Sequence, residues 1–295
     1  MDRLHALSDE LAAAVQQAGR AVLAVHARPR LPSTGVHWRP GLVVTANHTV
    51  RADEGLTVTQ PDGRSVPATL VGRDPVRDLA VLRVDVADVA VAELGDSDAV
   101  RVGHMVLALG AGPRASWGVI SAIGAAHARS ADVDLFSLDL TLYAGFSGGP
   151  LVDAEGHVVG INTSGMSRQM QLAVPASVVS RTVDALVSHG RMPQGYLGVG
   201  TQTVRVPAAM REQLHLDQEL ALIVVDVQAG SPAAAGLLLG DVILALDGHA
   251  IADPVDLRRL LRAERIGQRI TARVVRGGQA RDVELTIGER PARPR

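Results

Sequence analysis

The chain is predicted to be mostly β and to run through two successive domains, and three features of the sequence predict it. Residues 40–165 hold short runs of Val, Leu and Ile divided by Pro-Gly, Pro-Asp-Gly and Glu-Gly turns. That pattern signals many short strands in a barrel or sandwich pair rather than a βαβ sheet. From Pro175 to Val187 the period becomes helical, with Val178, Val179, Val183, Leu186 and Val187 on one apolar face. Gly and Pro then punctuate residues 188–194, which read as a linker. A length of 295 residues suits two domains, each able to bury its own core.

Taken in order, residues 1–20 are expected to form a helix, because Leu4, Leu7, Leu11, Ala14 and Val15 recur at helical spacing. Its polar face has no basic cluster, so it is expected to pack on its own domain rather than on a membrane. Residues 21–187 form the first domain. There the apolar run from Val43 leads into His48, and Asp78 stands just before Leu79-Ala80-Val81-Leu82. The second domain spans residues 195–290. In it Asp253-Pro254 reads as the cap and first position of a helix whose Leu257, Leu260 and Leu261 face inward. Residues 291–295 form a tail. No run of eighteen apolar residues occurs, nor a basic start followed by an apolar stretch. The compartment stays open between the cytoplasm and an extracytoplasmic site reached after removal of a signal or anchor.

Composition excludes several classes of chemistry. Hydrophobic residues make up 47% and aromatics only 2%, so the cores must be aliphatic. All 29 basic residues are arginine and the net charge is −2, which gives no reason to expect a nucleic-acid partner. With no cysteine, disulfides, a thiol nucleophile and cysteine-ligated zinc are excluded. The ten histidines show no metal-ligand spacing, and neither a metal nor a cofactor is expected.

The chemistry lies in Gly145-Phe146-Ser147-Gly148-Gly149-Pro150. A serine among glycines suits a nucleophile whose neighbouring backbone N–H groups converge on a developing oxyanion. A hydroxyl needs an imidazole to take its proton, and the imidazole needs an acceptor to fix its tautomer. His48, Asp78 and Ser147 supply these in order, far enough apart in sequence that only folding brings them together.

Thr-Ala-x-His at a strand end, Asp78-Leu79-Ala80-Val81-Leu82, and Gly145-x-Ser-Gly-Gly-Pro-Leu together resemble the HtrA family of trypsin-like serine proteases. Val152–Thr163, with its Glu155-Gly156 turn, is similar to the family's hairpin after the nucleophile, and Asp139 falls where the family has an aspartate. The resemblance covers most of residues 30–185. It implies two six-stranded β-barrels with His48, Asp78 and Ser147 as the triad. Gly145 and Ser147 become the oxyanion donors, and Met170, Gln171 and Leu172 the wall of the substrate pocket. Gly195–Gly200, Ala229–Leu237 and Gly240–Gly248 resemble the family's PDZ domain, an α+β module. Tyr196, Leu197, Gly198 and Val199 would then cradle the carboxylate of a peptide C-terminus.

The resemblance implies an ATP-independent serine endopeptidase of protein quality control, acting on unfolded polypeptides, with a homotrimer as the family's assembly. Two positions depart from it. Phe146 stands where the family has a polar Asn or Asp that holds the oxyanion loop, and Tyr143-Ala144 replaces Asn-Pro. Phe146 leaves two outcomes open: a latent loop, or a loop held active by apolar packing. A second reading therefore stays beside the first, a protease-fold chaperone or adaptor that is latent or inactive and works by binding peptides.

Overall fold

The computed structural model describes residues 3–28, 31–86, 88–112, 114–124, 135–167, 169–214 and 216–291. Met1, Asp2 and residues 292–295 of the expected tail lie outside them. The chain divides into two compact units, Met1–Met192 and Pro193–Arg295.

In the first unit, helix α1 (Arg3–Gly19) precedes twelve strands. Strands β1 (Val22–His26), β2 (Ser33–Arg39), β3 (Leu42–Ala46), β4 (Leu56–Thr59), β5 (Ser65–Asp74) and β6 (Leu79–Val84) close a barrel in the order β1-β2-β3-β6-β5-β4. A second barrel is closed by β7 (Met105–Gly110), β8 (Arg114–Ile123), β9 (Phe136–Asp139), β10 (Pro150–Val152), β11 (Val158–Thr163) and β12 (Gln171–Pro175). The sequence resemblance implied two six-stranded barrels, and this is what forms.

Strands β3, β6 and β7 read as nearly unbroken apolar runs because both of their faces are largely buried. Val43, Ala80 and Leu82 fill the first barrel, whereas their neighbours Val44, Leu79 and Val81 join a core shared with Leu109 and Ile161 of the second. In β7 the same alternation sends Val106 and Ala108 into the second barrel and Leu107 and Leu109 into the shared core.

Helix α1 packs on its own unit through its second half only. Ala14 and Ala18 are buried in the shared core with Leu11 and Val15 against it, while Leu4 and Leu7 are exposed. A Cβ on Gly156, in the turn between β10 and β11, would meet the Ala14 carbonyl at 3.0 Å, so this turn is the helix's seat. Helix α2 (Ala176–His189) buries Val178, Val179, Val183 and Leu186. Val187, expected on that face, is exposed, and Thr182 takes the inner flank by donating its hydroxyl to the Val178 carbonyl at 2.9 Å. The helix also runs two residues into the expected linker before Gly190, at φ 69°, closes it.

The second unit begins with β13 (Gly195–Tyr196), β14 (Val199–Arg205), α3 (Ala208–Leu214), β15 (Leu220–Val227), β16 (Val242–Leu246) and β17 (His249–Ala250). It continues with α4 (Pro254–Leu260), β18 (Arg269–Arg276), β19 (Gln279–Thr286) and β20 (Gly288–Glu289). The sheet order is β14-β15-β16-β18-β19, so β14 is an edge strand, and α4 packs beside it. Asp253 caps α4 by accepting from the Val255 and Asp256 N–H groups, with Pro254 in the first turn as the sequence predicted.

Candidate active site

The β3–β6 ladder pairs Ala46 with Leu79, which sets the 3₁₀ turn Asn47–Thr49 beside the residue preceding β6. His48 and Asp78 therefore meet. Asp78 Oδ2 lies 2.6 Å from His48 Nδ1, and Oδ1 accepts the His48 backbone N–H at 2.7 Å. Thr163, from the second barrel, donates its hydroxyl to Oδ2 at 2.5 Å. A carboxylate only accepts, so Nδ1 must carry the proton and Nε2 of the neutral ring is left as the base. Asp78 is buried with φ 55°, a left-handed backbone that aspartate tolerates better than most residues. Gly165 closes the far side: a Cβ there would stand 2.4 Å from His48 Nδ1 and 2.7 Å from Asp78 Oδ2.

Ser147 is carried by the loop before β10. Its carbonyl accepts the Thr34 N–H at 3.2 Å, Gly148 N–H donates to the Asn162 carbonyl at 2.8 Å, and Gly149 N–H donates to the Phe146 carbonyl at 2.9 Å. At Gly148, with φ +85°, a Cβ would meet the Thr34 carbonyl at 2.2 Å, so the loop can press against the first barrel only as glycine. Ser147 Oγ lies 2.8 Å from Ser164 Oγ and accepts the Ser164 N–H at 3.3 Å. Among the described residues no hydrogen bond joins it to His48, and among them neither the Gly145 nor the Ser147 N–H has an acceptor.

Phe146 resolves toward packing. Its side chain is fully buried with Val106, Ile120, Phe136 and Leu151 in the second barrel. The Tyr143 ring meets it edge-on at 5.5 Å between centroids, and the Arg114 guanidinium lies 5.4 Å above it.

The residues expected to wall the substrate pocket differ in burial. Met170 and Gln171 are half-buried, but Leu172 is buried in the shared core with Ile161 and Val174. Alternation along β12 turns it there, so it offers no surface to a ligand. Sequence reasoning missed Thr34, Thr163, Ser164 and Gly165. Glycine and hydroxyl residues at the end of the strand closing at Thr163 were the available signal for the last three.

In the second unit Tyr196 ends β13, Leu197 is buried, Gly198 adopts φ +80°, and Val199 opens β14. The Leu197 carbonyl accepts from Ala233 N–H at 2.8 Å and that of Gly198 from Gln228 N–H at 2.9 Å, which fixes this segment.

Two closed barrels bearing His, Asp and Ser on facing loops, followed by a small sheet with a helix beside its edge strand, define a trypsin-like peptidase joined to a PDZ module. Residues 33–161 match the trypsin-like peptidase domain and residues 195–287 the PDZ domain. The chain belongs to the HtrA family of serine proteases. It is 38% identical over 277 residues to the "Probable periplasmic serine endoprotease DegP-like" of Rhizobium meliloti (strain 1021), covering 90% of this chain and 55% of that one. The chain thus spans about half the length of the curated relatives it matches. Among solved structures, the HtrA-type protease AlgW with tripeptide is 33% identical at a TM-score of 0.73, covering 96% of this chain and 98% of that one. The serine endoprotease from Yersinia pestis is 28% identical at 0.73, covering 94% and 97%.

Proposed function

We propose that this chain is an ATP-independent serine endopeptidase that cleaves unfolded or damaged polypeptides. Ser147 is the nucleophile, His48 the general base, Asp78 the group that orients His48, and the Gly145 and Ser147 N–H groups the oxyanion donors. One observation carries this reading: Asp78 fixes His48 through Nδ1 while both loop N–H groups stay unengaged beside Ser147. Covalent labelling by a fluorophosphonate tests it. Wild type should label and Ser147→Ala should not; equal labelling of both removes the assignment. The chaperone or adaptor alternative loses its main support with Phe146 packed rather than free.

With Met170 and Gln171 as the wall that the resemblance assigns to the primary pocket, no carboxylate stands at those positions, so an aliphatic P1 residue suits it better than a basic one. A peptide-library profile dominated by Arg or Lys at P1 contradicts this. In the second unit, a peptide C-terminus would add as a strand to the free edge of β14 beside α4, with its carboxylate at Tyr196, Leu197, Gly198 and Val199. The AlgW structures hold a decapeptide and a tripeptide, which supports peptide binding here. The curated relatives are named periplasmic, which supports the extracytoplasmic option; no helix among the described residues is long and apolar enough to cross a membrane. A homotrimer rests on the family resemblance, and a monomeric mass by light scattering removes it.

A further inference from the structure

We propose that Arg114 is a positioning residue for the oxyanion loop, holding the Ala144–Gly145 peptide in the orientation that leaves the Gly145 N–H free. The proposal rests on Ser147 being the nucleophile. Phe146 N–H donates to the Tyr143 carbonyl at 3.0 Å, so residues 143–146 form a hydrogen-bonded turn with Ala144 and Gly145 at its centre. Gly145 has φ +94°, which is the type II form. Flipping the central peptide converts such a turn to type I, with φ near roughly −90° at that residue. The two forms differ in which face of the turn receives the Gly145 N–H and which receives the Ala144 carbonyl, because the two point oppositely across a trans peptide.

Arg114 favours one form. Its Nη1 donates to the Ala144 carbonyl at 3.1 Å and its Nε to the Ala111 carbonyl at 3.1 Å, while the guanidinium covers the Phe146 ring. Thr34 completes the circuit, donating to the Gly145 carbonyl at 2.6 Å and accepting the Ala111 N–H at 2.8 Å. A flip would break the Arg114–Ala144 bond. The Phe146 side chain cannot hydrogen-bond the loop, so the polar side-chain restraint comes from Arg114 above the ring and Thr34 beside it.

The test measures kcat and KM of Arg114→Met and Arg114→Lys on a fluorogenic peptide with an aliphatic P1 residue, with fluorophosphonate labelling in parallel. Methionine keeps an apolar stem over Phe146 but donates nothing, whereas lysine can reach one carbonyl. Arg114→Met should lower kcat about tenfold, a part of the roughly hundredfold or more that outright loss of an oxyanion donor costs. KM and the thermal midpoint should stay near wild type, with Arg114→Lys falling between. A kcat for Arg114→Met within about twofold of wild type, or a loss carried by KM alone, overturns the proposal. Ser147→Ala separates the two readings. If it fails to label while Arg114→Met keeps full kcat, only the role of Arg114 is lost; if it labels like wild type, the nucleophile assignment itself fails.

Discussion

Phe146 fills the space above Gly110: a Cβ on Gly110 would lie 2.5 Å from the ring's Cδ1 and 2.6 Å from its Cε1. The loop bearing Ser147 is therefore plugged into the second barrel, which couples its position to the packing of that barrel.

Phe146→Ala should cost about 3 kcal/mol or more of stability, the range for emptying a buried aromatic site, and should lower peptidase activity with it. Phe146→Asn should do no better, because its amide would enter an apolar core without partners. Gly110→Ala, which overpacks the same contact, should cost about 1–3 kcal/mol. Both tryptophans, Trp38 and Trp117, lie in the first unit, so urea denaturation followed by tryptophan fluorescence reads this unit alone. A Phe146→Asn variant that is stable and faster than wild type would show the loop to be latent instead.

Asp78 receives three donors, the His48 backbone N–H, the His48 ring and the Thr163 hydroxyl. Asp78→Asn presents a donor to Nδ1 and favours the wrong tautomer, so kcat should fall by roughly 10⁴ with KM little changed. Thr163→Val removes one bond to a charged acceptor, about 1.5–3 kcal/mol, and should lower kcat about tenfold or more. Steady-state kinetics on one peptide substrate checks both, and a Thr163→Val kcat equal to wild type would show that Asp78 needs no third donor.

The candidate triad was legible because its chemistry requires particular residue types beside strands and glycines, and the barrels because short apolar runs alternate with turns. The restraints around the triad were not. Thr34 meets Gly145 across 111 positions, and no local pattern announces such a contact. Arg114 reads as a polar residue at a strand start, and only the fold sets it over Phe146. Leu172 shows the opposite failure: its sequence position suggested a pocket wall, but alternation along β12 turns it into the shared core.

Asp241 is the buried acid of the second unit, bonded by Arg276 Nε at 2.8 Å and Nη2 at 2.7 Å and by the Leu238 N–H at 2.8 Å. Burial pushes its carboxyl up, but the Arg276 and Leu238 hydrogen bonds outweigh this and hold it below the usual carboxylate range. A carboxyl lowered in the folded state stabilises at pH values above its unfolded pKa, and that stability is lost as pH falls through the folded value. The second unit should therefore weaken below about pH 4. Asp241→Ala should destabilise the second unit at neutral pH by removing the buried acceptor of the Leu238 N–H and of two Arg276 bonds, and should flatten this acid dependence. Calorimetry checks it: the transition of the second unit should move while the tryptophan-detected transition stays. An unchanged acid dependence in Asp241→Ala would assign it to other carboxyls.

Ser164 holds the hydroxyl of Ser147, at 2.8 Å between oxygens, while its own backbone N–H donates to the same Oγ at 3.3 Å. With that N–H occupying one lone pair, either hydroxyl can donate across the contact, and no bond from Ser147 to His48 is formed among the described residues. In Ser164→Ala the competing oxygen is gone but the N–H stays, so the hydroxyl should turn to His48 more readily. A net hydrogen bond of about 1 kcal/mol corresponds to a gain of about fivefold in kcat/KM and in fluorophosphonate labelling. Ser164→Thr, which keeps the hydroxyl, should remain near wild type. A Ser164→Ala enzyme slower than wild type would reverse the reading, making Ser164 a donor that supports the attacking oxygen rather than a competitor for its proton.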